Sequence, residues 1–205
     1  MTLRLSLRAP RDLPAAAEAL REVRVRHGVT AIPTETYYGL AVDPCDAVAV
    51  RRVYEVKGRE SSKLLLVVGG SLEQLEELVE VPPHHRERLR AAWPAAFTVV
   101  LPARRALPAG DSTLAVRVPD APLLRSLLQR VGPLTATSAN RSGTPPEVDP
   151  AAIATSIGSE LDLLLDGGTT PGGAASTLLD ATGTRVIVLR QGTWRVPSDW
   201  PVKSQ

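Results

Sequence analysis

The sequence predicts a single α/β domain built on an open, twisted sheet of mixed parallel and antiparallel strands flanked by helices. Three observations carry that prediction. Short apolar runs of strand length alternate along the chain with stretches of helical periodicity. The connections are of two kinds, some long enough for a crossover helix and some only a glycine turn, and a purely parallel sheet does not allow the second kind. The 205 residues suffice for one sizeable core and are few for two, so the domain is taken as 1–205.

LRLSL at 3–7 alternates apolar and polar residues as a half-buried strand does. Asp12 is placed to cap a helix whose Leu13, Ala16, Ala17, Leu20 and Val23 share one face, and Gly28 ends it. VTAIP at 29–33 is a short apolar run closed by proline and reads as a central strand, with TETYYGL following as a loop. Asp46 starts a second helix carrying Val48, Val50, Val53 and Tyr54. Gly58 stops it, because glycine takes a left-handed helix end at least cost.

LLLVVGG at 64–70 is a continuous apolar strand, and Ser71 with Gln74 forms a capping box for a helix bearing Leu75, Leu78 and Val79. FTVVL (97–101) and TLAVRV (113–118) read as strands, LLRSLL (123–128) as a helix and PLTAT (133–137) as one further strand. Asp149 and Pro150 open a last helix. DLLLD, STLLD and RVIVLR then close the sheet as strands separated by glycine turns.

Composition excludes several classes. At 43% hydrophobic and 22% charged residues the chain is neither disordered nor fibrous. No apolar run reaches the length of a membrane span, and MTLRLSLRAP lacks the apolar core of a signal peptide, so a cytoplasmic protein without membrane attachment is expected. The one cysteine, Cys45, has no partner for a disulfide or a zinc site and is expected as a small buried apolar residue. His27, His84 and His85 have no ligand spacing, and the His84-His85 pair is expected on the solvated surface. A net charge of +2 is too small to announce a nucleic-acid protein, and 3% aromatic residues argue against base-stacking platforms.

The common phosphate and hydrolase signatures, GxxxxGK[ST], GxGxxG, HExxH and GxSxG, are absent. KGRESSK at 57–63 gathers Lys57, Arg59 and Lys63 around a helix-ending glycine; such cations either complement the helix dipole or form a clamp for an anion. Arg117 interrupts the apolar strand TLAVRV, so it either faces outward or meets an anionic partner. TSANRSG at 137–143 contains the SxN element of a serine acyl-enzyme, but the SxxK and KTG that such chemistry requires are missing. Ser138 and Asn140 are left as groups of an ordinary turn or as polar groups presented at a strand end.

PTETYYGL (33–40), KGRESSK (57–63), WPAAFTVVLP (93–102), LAVRVPDAP (114–122), TSANRSG (137–143) and DGG with STLLD (166–180) occur in an order and spacing that resemble the YrdC family, the L-threonylcarbamoyladenylate synthases. The resemblance covers residues 12–192 and is to the short, single-domain form. It implies condensation of L-threonine, bicarbonate and ATP to threonylcarbamoyl-AMP and pyrophosphate. A downstream threonylcarbamoyl transferase complex would place the group on adenosine 37 of ANN-decoding tRNAs, so contact with tRNA is indirect. The carbamate of threonine is itself the nucleophile in this chemistry, and positioning with charge neutralisation suffices in place of a protein nucleophile.

By position, the resemblance implies a catalytic tetrad of Lys57, Arg59, Ser138 and Asn140. It implies ATP contacts from Arg59, Lys63, Thr113, Ala136, Ser138, Ser176 and Arg190, and threonine contacts from Thr36 and Arg117. Mg2+ carried by the ATP phosphates would complete the charge balance. The sequence departs from the family pattern where Leu64 follows Lys63 in place of proline, at Ala95-Ala96 after Trp93-Pro94, at Gln191 between Arg190 and Gly192, and at Val68, where some members have a histidine. Two alternatives share the same cleft: a paralogue making another carbamoyl adenylate, and a module with weak direct RNA binding.

Overall fold

A computed structural model describes residues 2–58 and 64–203. The strands are β1 (Leu3–Ser6), β2 (Thr30–Pro33), β3 (Tyr38–Ala41), β4 (Leu66–Val68), β5 (Phe97–Pro102), β6 (Thr113–Arg117), β7 (Leu134–Thr135), β8 (Thr137–Ser138), β9 (Leu163–Asp166), β10 (Thr177–Asp180) and β11 (Ile187–Arg190). The α-helices are α1 (Leu13–Val25), α2 (Ala47–Lys57), α3 (Leu72–Leu75), α4 (Pro83–Ala92), α5 (Pro122–Val131) and α6 (Pro150–Ser156). The mixed α/β class follows the sequence, with the strands shared between two sheets. One has the order β1-β9-β2-β3-β8 and the other β11-β10-β5-β6-β4-β7, and each contains both parallel and antiparallel pairs.

Helix boundaries are fixed by local chemistry. Asp46 Oδ1 accepts from the amides of Val48 and Ala49 at the start of α2, and Gly58 ends it at φ 58°. Asp12 instead ties down the turn before α1, taking the Ser6 hydroxyl at 2.7 Å and the amides of Arg8 and Ala9. The predicted stripe of α1 is buried and packs with Leu124, Leu127 and Leu128 of α5 into one core. A second core joins α2, α3 and α4 to residues of both sheets, among them Tyr38, Leu40, Val67 and Phe97. Each such side chain contributes roughly 1.5–3 kcal/mol on full burial.

Several elements depart from expectation. TETYYGL is no loop throughout: Tyr38–Ala41 form β3, buried at every position and so without the alternation that marks a half-exposed strand. PLTAT is not one strand but two. Leu134–Thr135 pair with β4 in the six-stranded sheet and Thr137–Ser138 pair with β3 in the five-stranded one, so the chain changes sheets at Ala136. Gly39 lets this happen, since a Cβ there would lie 3.1 Å from the Ala136 Cα. Leu78 and Val79 lie beyond the single turn of α3. His85 is buried, not solvated: the proline start of α4 puts it on the inner face with Leu89, its Nε2 is 2.9 Å from the Gly183 carbonyl, and burial lowers its pKa. Cys45 is exposed, because the turn closed by Cys45 N–H and Asp43 Oδ1 leaves it outside the core. Among the described residues no helix is long and apolar enough to cross a membrane.

Candidate functional site

A cleft of about 300 Å³ opens between the two sheets. Strand alternation builds its floor from the six-stranded sheet. Leu66 pairs with Ala115, and Leu178 lies in register between Thr98 and Arg190, so these side chains emerge on the same face. The walls are Thr34, Thr36, Tyr37 and Tyr38 before and within β3, with Glu35 behind them on Arg117, and Ala136–Ser138 around the sheet crossing.

The Thr34–Tyr38 wall is a turn stabilised by its own hydroxyl. Thr34 Oγ1 donates to the Tyr37 carbonyl at 2.7 Å and accepts from the Thr36 amide at 3.2 Å. The 166–173 loop fastens to it: Gly172 N–H donates to the Thr36 carbonyl at 2.7 Å, Tyr37 hydroxyl to the Gly173 carbonyl, and Tyr38 hydroxyl to the Gly168 carbonyl at 2.7 Å. Burial pushes the Tyr38 hydroxyl up to about 12, so it stays a neutral donor. The loop's anchor is Asp166. Its burial alone would raise the carboxyl, but hydrogen bonds from Arg8, Gly168 and Arg4 hold it down to about 2.

Behind the Ser138 wall Lys57, the last residue of α2, is 4% exposed. Its ammonium donates to the Ser138 carbonyl at 2.6 Å and lies 3.1 and 3.2 Å from the carbonyl and Oδ1 of Asn140, with Ser138 Oγ at 3.4 Å. Asn140 Nδ2 donates in turn to the carbonyls of Arg141 and Thr144, and the Ser142 amide returns to the Lys57 carbonyl at 2.8 Å. The SxN turn is thus wound around one buried cation.

Arg117 ends β6 inside the cleft, 4% exposed, and Nη1 meets Glu35 Oε1 at 2.7 Å. Burial pulls its pKa below the usual guanidinium range, Glu35 opposes that and Arg190 adds to it, so a second guanidinium is close enough to be felt. Arg190 donates through Nε and Nη2 to the Ser176 carbonyl at 3.1 and 2.9 Å, and Ser176 Oγ lies 3.0 Å from Thr98 Oγ1. Two guanidiniums and a row of hydroxyls over an apolar floor make a site for an anionic ligand with a flat apolar part.

Of the residues expected at a site, Thr36, Arg117, Ala136, Ser138, Ser176 and Arg190 line this one cleft. Lys57 and Asn140 stand directly behind Ser138. Thr113 lies on the same face of β6 as Ala115 and Arg117 but outside the cleft lining. Arg59 and Lys63 lie outside the described residues. Val68, in register with Arg117, is fully buried and belongs to the core shared with α1 and α5. Sequence reasoning missed Glu35 and Thr98. The signal for Glu35 was Arg117 itself, since a cation in an apolar strand calls for a carboxylate. Among the described residues no group of three or more His, Cys, Asp or Glu could hold a metal, and the cleft's hydroxyls and guanidiniums suit phosphate oxygens better than a bare cation.

The sequence profile of the Sua5/yciO/yrdC family, described as "Telomere recombination", matches residues 22–192. The threonylcarbamoyl-AMP synthase of Bacillus subtilis is 36% identical over 199 residues, covering 94% of this chain and 56% of that protein. The threonylcarbamoyl-AMP synthase of Nitrosococcus oceani is 38% identical over 166 residues, covering 78% of this chain and 90% of that protein. The crystal structure of P. abyssi Sua5 complexed with L-threonine superposes with a TM-score of 0.81 at 33% identity, over 94% of this chain and 57% of that one. The chain therefore spans little more than half the length of the B. subtilis and P. abyssi proteins. With the profile match extending from α1 to Gly192 and through every segment of the cleft, the chain belongs to the Sua5/YciO/YrdC family.

Proposed function

We propose that the chain synthesises L-threonylcarbamoyladenylate from L-threonine, bicarbonate and ATP, releasing pyrophosphate. The observation that carries this reading is the cleft between the sheets, which brings Arg117, Arg190 and the Lys57-pinned Ser138 into one lining. The carboxylate of an amino acid and the phosphates of a nucleotide call for several such anchors. Threonine's amine takes up bicarbonate with loss of water to give a carbamate. A carbamate oxygen then attacks the ATP α-phosphorus, and the bond to pyrophosphate breaks.

No protein nucleophile takes part. Arg117 meets the amino acid's carboxylate, and Thr36, in the same lining, takes the side-chain hydroxyl. Ser138, Ser176 and Arg190 serve the nucleotide, while Lys57 and Asn140 fix the turn that carries Ser138. We place Arg59 and Lys63 on the phosphates by their position in the family motif. Magnesium enters as part of the substrate, on the ATP phosphates, where it neutralises charge that the cleft's own cations do not. The product would be consumed by a threonylcarbamoyl transferase acting on tRNA.

The test is pyrophosphate release from ATP and bicarbonate with magnesium, in the presence and absence of L-threonine and with L-serine as control. Release that requires threonine supports the reading; ATP binding without threonine-dependent release refutes it.

A further inference from the structure

Glu35 and Arg117 form an ion pair with side chains 10% and 5% exposed, joined by one hydrogen bond of 2.7 Å. The pair is incomplete. Among the described residues neither Glu35 Oε2 nor Arg117 Nε, both buried, has a hydrogen-bond partner. An arginine and a carboxylate brought together only for stability would be expected to close two parallel hydrogen bonds, because a buried polar atom left unpaired is costly. Here the carboxylate spends one oxygen, and the guanidinium spends one of its five N–H groups, on the pair.

The surroundings explain what that arrangement does. Arg117 lines a cleft with a second cation, Arg190, close enough to affect it, and the expected co-ligand is a polyphosphate. An unpaired guanidinium in that place would attract any small anion, including inorganic phosphate, bicarbonate and the phosphates of the nucleotide itself. A guanidinium paired with a buried carboxylate keeps its charge and its remaining hydrogen-bond donors, while the pair as a whole carries no net charge. Such a wall is indifferent to plain anions. It favours a ligand that carries a carboxylate for the guanidinium and a cation for the carboxylate oxygen left over.

We propose that Glu35 is the specificity-determining residue that makes the Arg117 end of the cleft selective for a zwitterionic α-amino acid and closed to simple carboxylates and phosphate. This inference rests on the reading of the cleft as an amino-acid and nucleotide site. It adds that selection acts on the ligand's ammonium group through Glu35, whichever amino acid the site prefers.

The experiment is binding calorimetry on the full chain, with L-threonine, a panel of other L-amino acids, 3-hydroxybutyrate as threonine without its amino group, and inorganic phosphate. The wild type is expected to prefer its amino acid over 3-hydroxybutyrate by about tenfold or more, the worth of one charge-assisted hydrogen bond. Glu35→Gln should lose that preference, binding the amino acid about tenfold more weakly and 3-hydroxybutyrate and phosphate more tightly. Glu35→Asp, which keeps the charge, should restore the preference in part, and it carries the test if Glu35→Gln does not fold. A folded Glu35→Gln that still prefers threonine to 3-hydroxybutyrate as the wild type does would overturn the proposal while leaving the synthase reading intact. A wild type that selects another amino acid, with Glu35-dependent rejection of its des-amino analogue, would support the proposal and refute threonine as substrate. A wild type that binds 3-hydroxybutyrate as well as any amino acid would overturn it outright.

Discussion

The ammonium of Lys57 lies 2.6 Å from the carbonyl oxygen of Ser138, although 81 residues separate them. A cation at the carboxyl end of α2 thereby sets the shape of a turn in the other half of the chain. Lysine is suited to the task because a compact ammonium can donate in several directions at once to the oxygens of Ser138 and Asn140. Lys57→Met keeps the aliphatic stem and removes the donors. It should lower stability by about 2 kcal/mol, or about 4–8 °C in melting temperature, and reduce kcat/KM for ATP more than tenfold through a raised KM. Thermal unfolding and steady-state kinetics on the same sample check this; an unchanged KM for ATP would separate the turn from the nucleotide.

Arg117→Ala strands Glu35 as a buried carboxylate without its cation, at a cost of about 3–5 kcal/mol. The double variant Glu35→Ala with Arg117→Ala should therefore be more stable than Arg117→Ala alone. Where the single variant folds, KM for threonine should rise at least about tenfold with KM for ATP nearly constant. Denaturant titration of the three proteins tests the first claim, and kinetics the second; equal loss toward both substrates would refute the assignment of Arg117.

Gly192 packs on the backbone at Ser176, where an added Cβ would come within 2.7 Å of the Ser176 carbonyl carbon and 2.5 Å of the Thr177 nitrogen. Backbone cannot yield as a flexible side chain does. Gly192→Ala should displace Ser176 and with it the Arg190 guanidinium, so ATP affinity should fall while threonine binding in the absence of ATP is retained. Calorimetric titration with each ligand distinguishes this local effect from general unfolding.

Asp166 holds Arg4 and Arg8 and the Gly168 amide, with its carboxyl at about 2 against an ordinary value of 3.8. A carboxyl depressed in the folded state stabilises the protein above its unfolded value, and that contribution is lost as the pH falls from about 4 through about 2. Asp166→Asn should be less stable than the wild type at neutral pH, and the gap should close across that window. Melting temperatures of both proteins from neutral pH downward give the comparison; a constant gap would show that ionisation of Asp166 is not the source.

Much of this was readable in the chain. The α1 stripe, the Asp46 cap, the Gly58 stop and the strands around FTVVL and TLAVRV follow from periodicity and capping chemistry, which are local. The sheet crossing at Ala136 was not readable, because PLTAT is one uninterrupted apolar-polar alternation and only its neighbours, β3 and β4, decide where it divides. β3 was hidden by being buried on both faces. At the site, Ser138, Asn140 and Arg117 stand out in the sequence, as does the resemblance they carry. That Lys57 is the axis of the SxN turn, and that Arg117 comes with Glu35, depends on contacts more than eighty residues apart in sequence. Local pattern can say that Arg117 calls for a carboxylate, but not which residue supplies it.

At Ala136 a single residue hands the chain from one sheet to the other within the wall of the cleft. A ligand held there touches both sheets and so acts as a strut between two halves of the framework. Occupancy should then slow amide hydrogen exchange beyond the contact residues, reaching Leu40 in β3 and Val67 in β4 together, since opening either half would first require the ligand to leave.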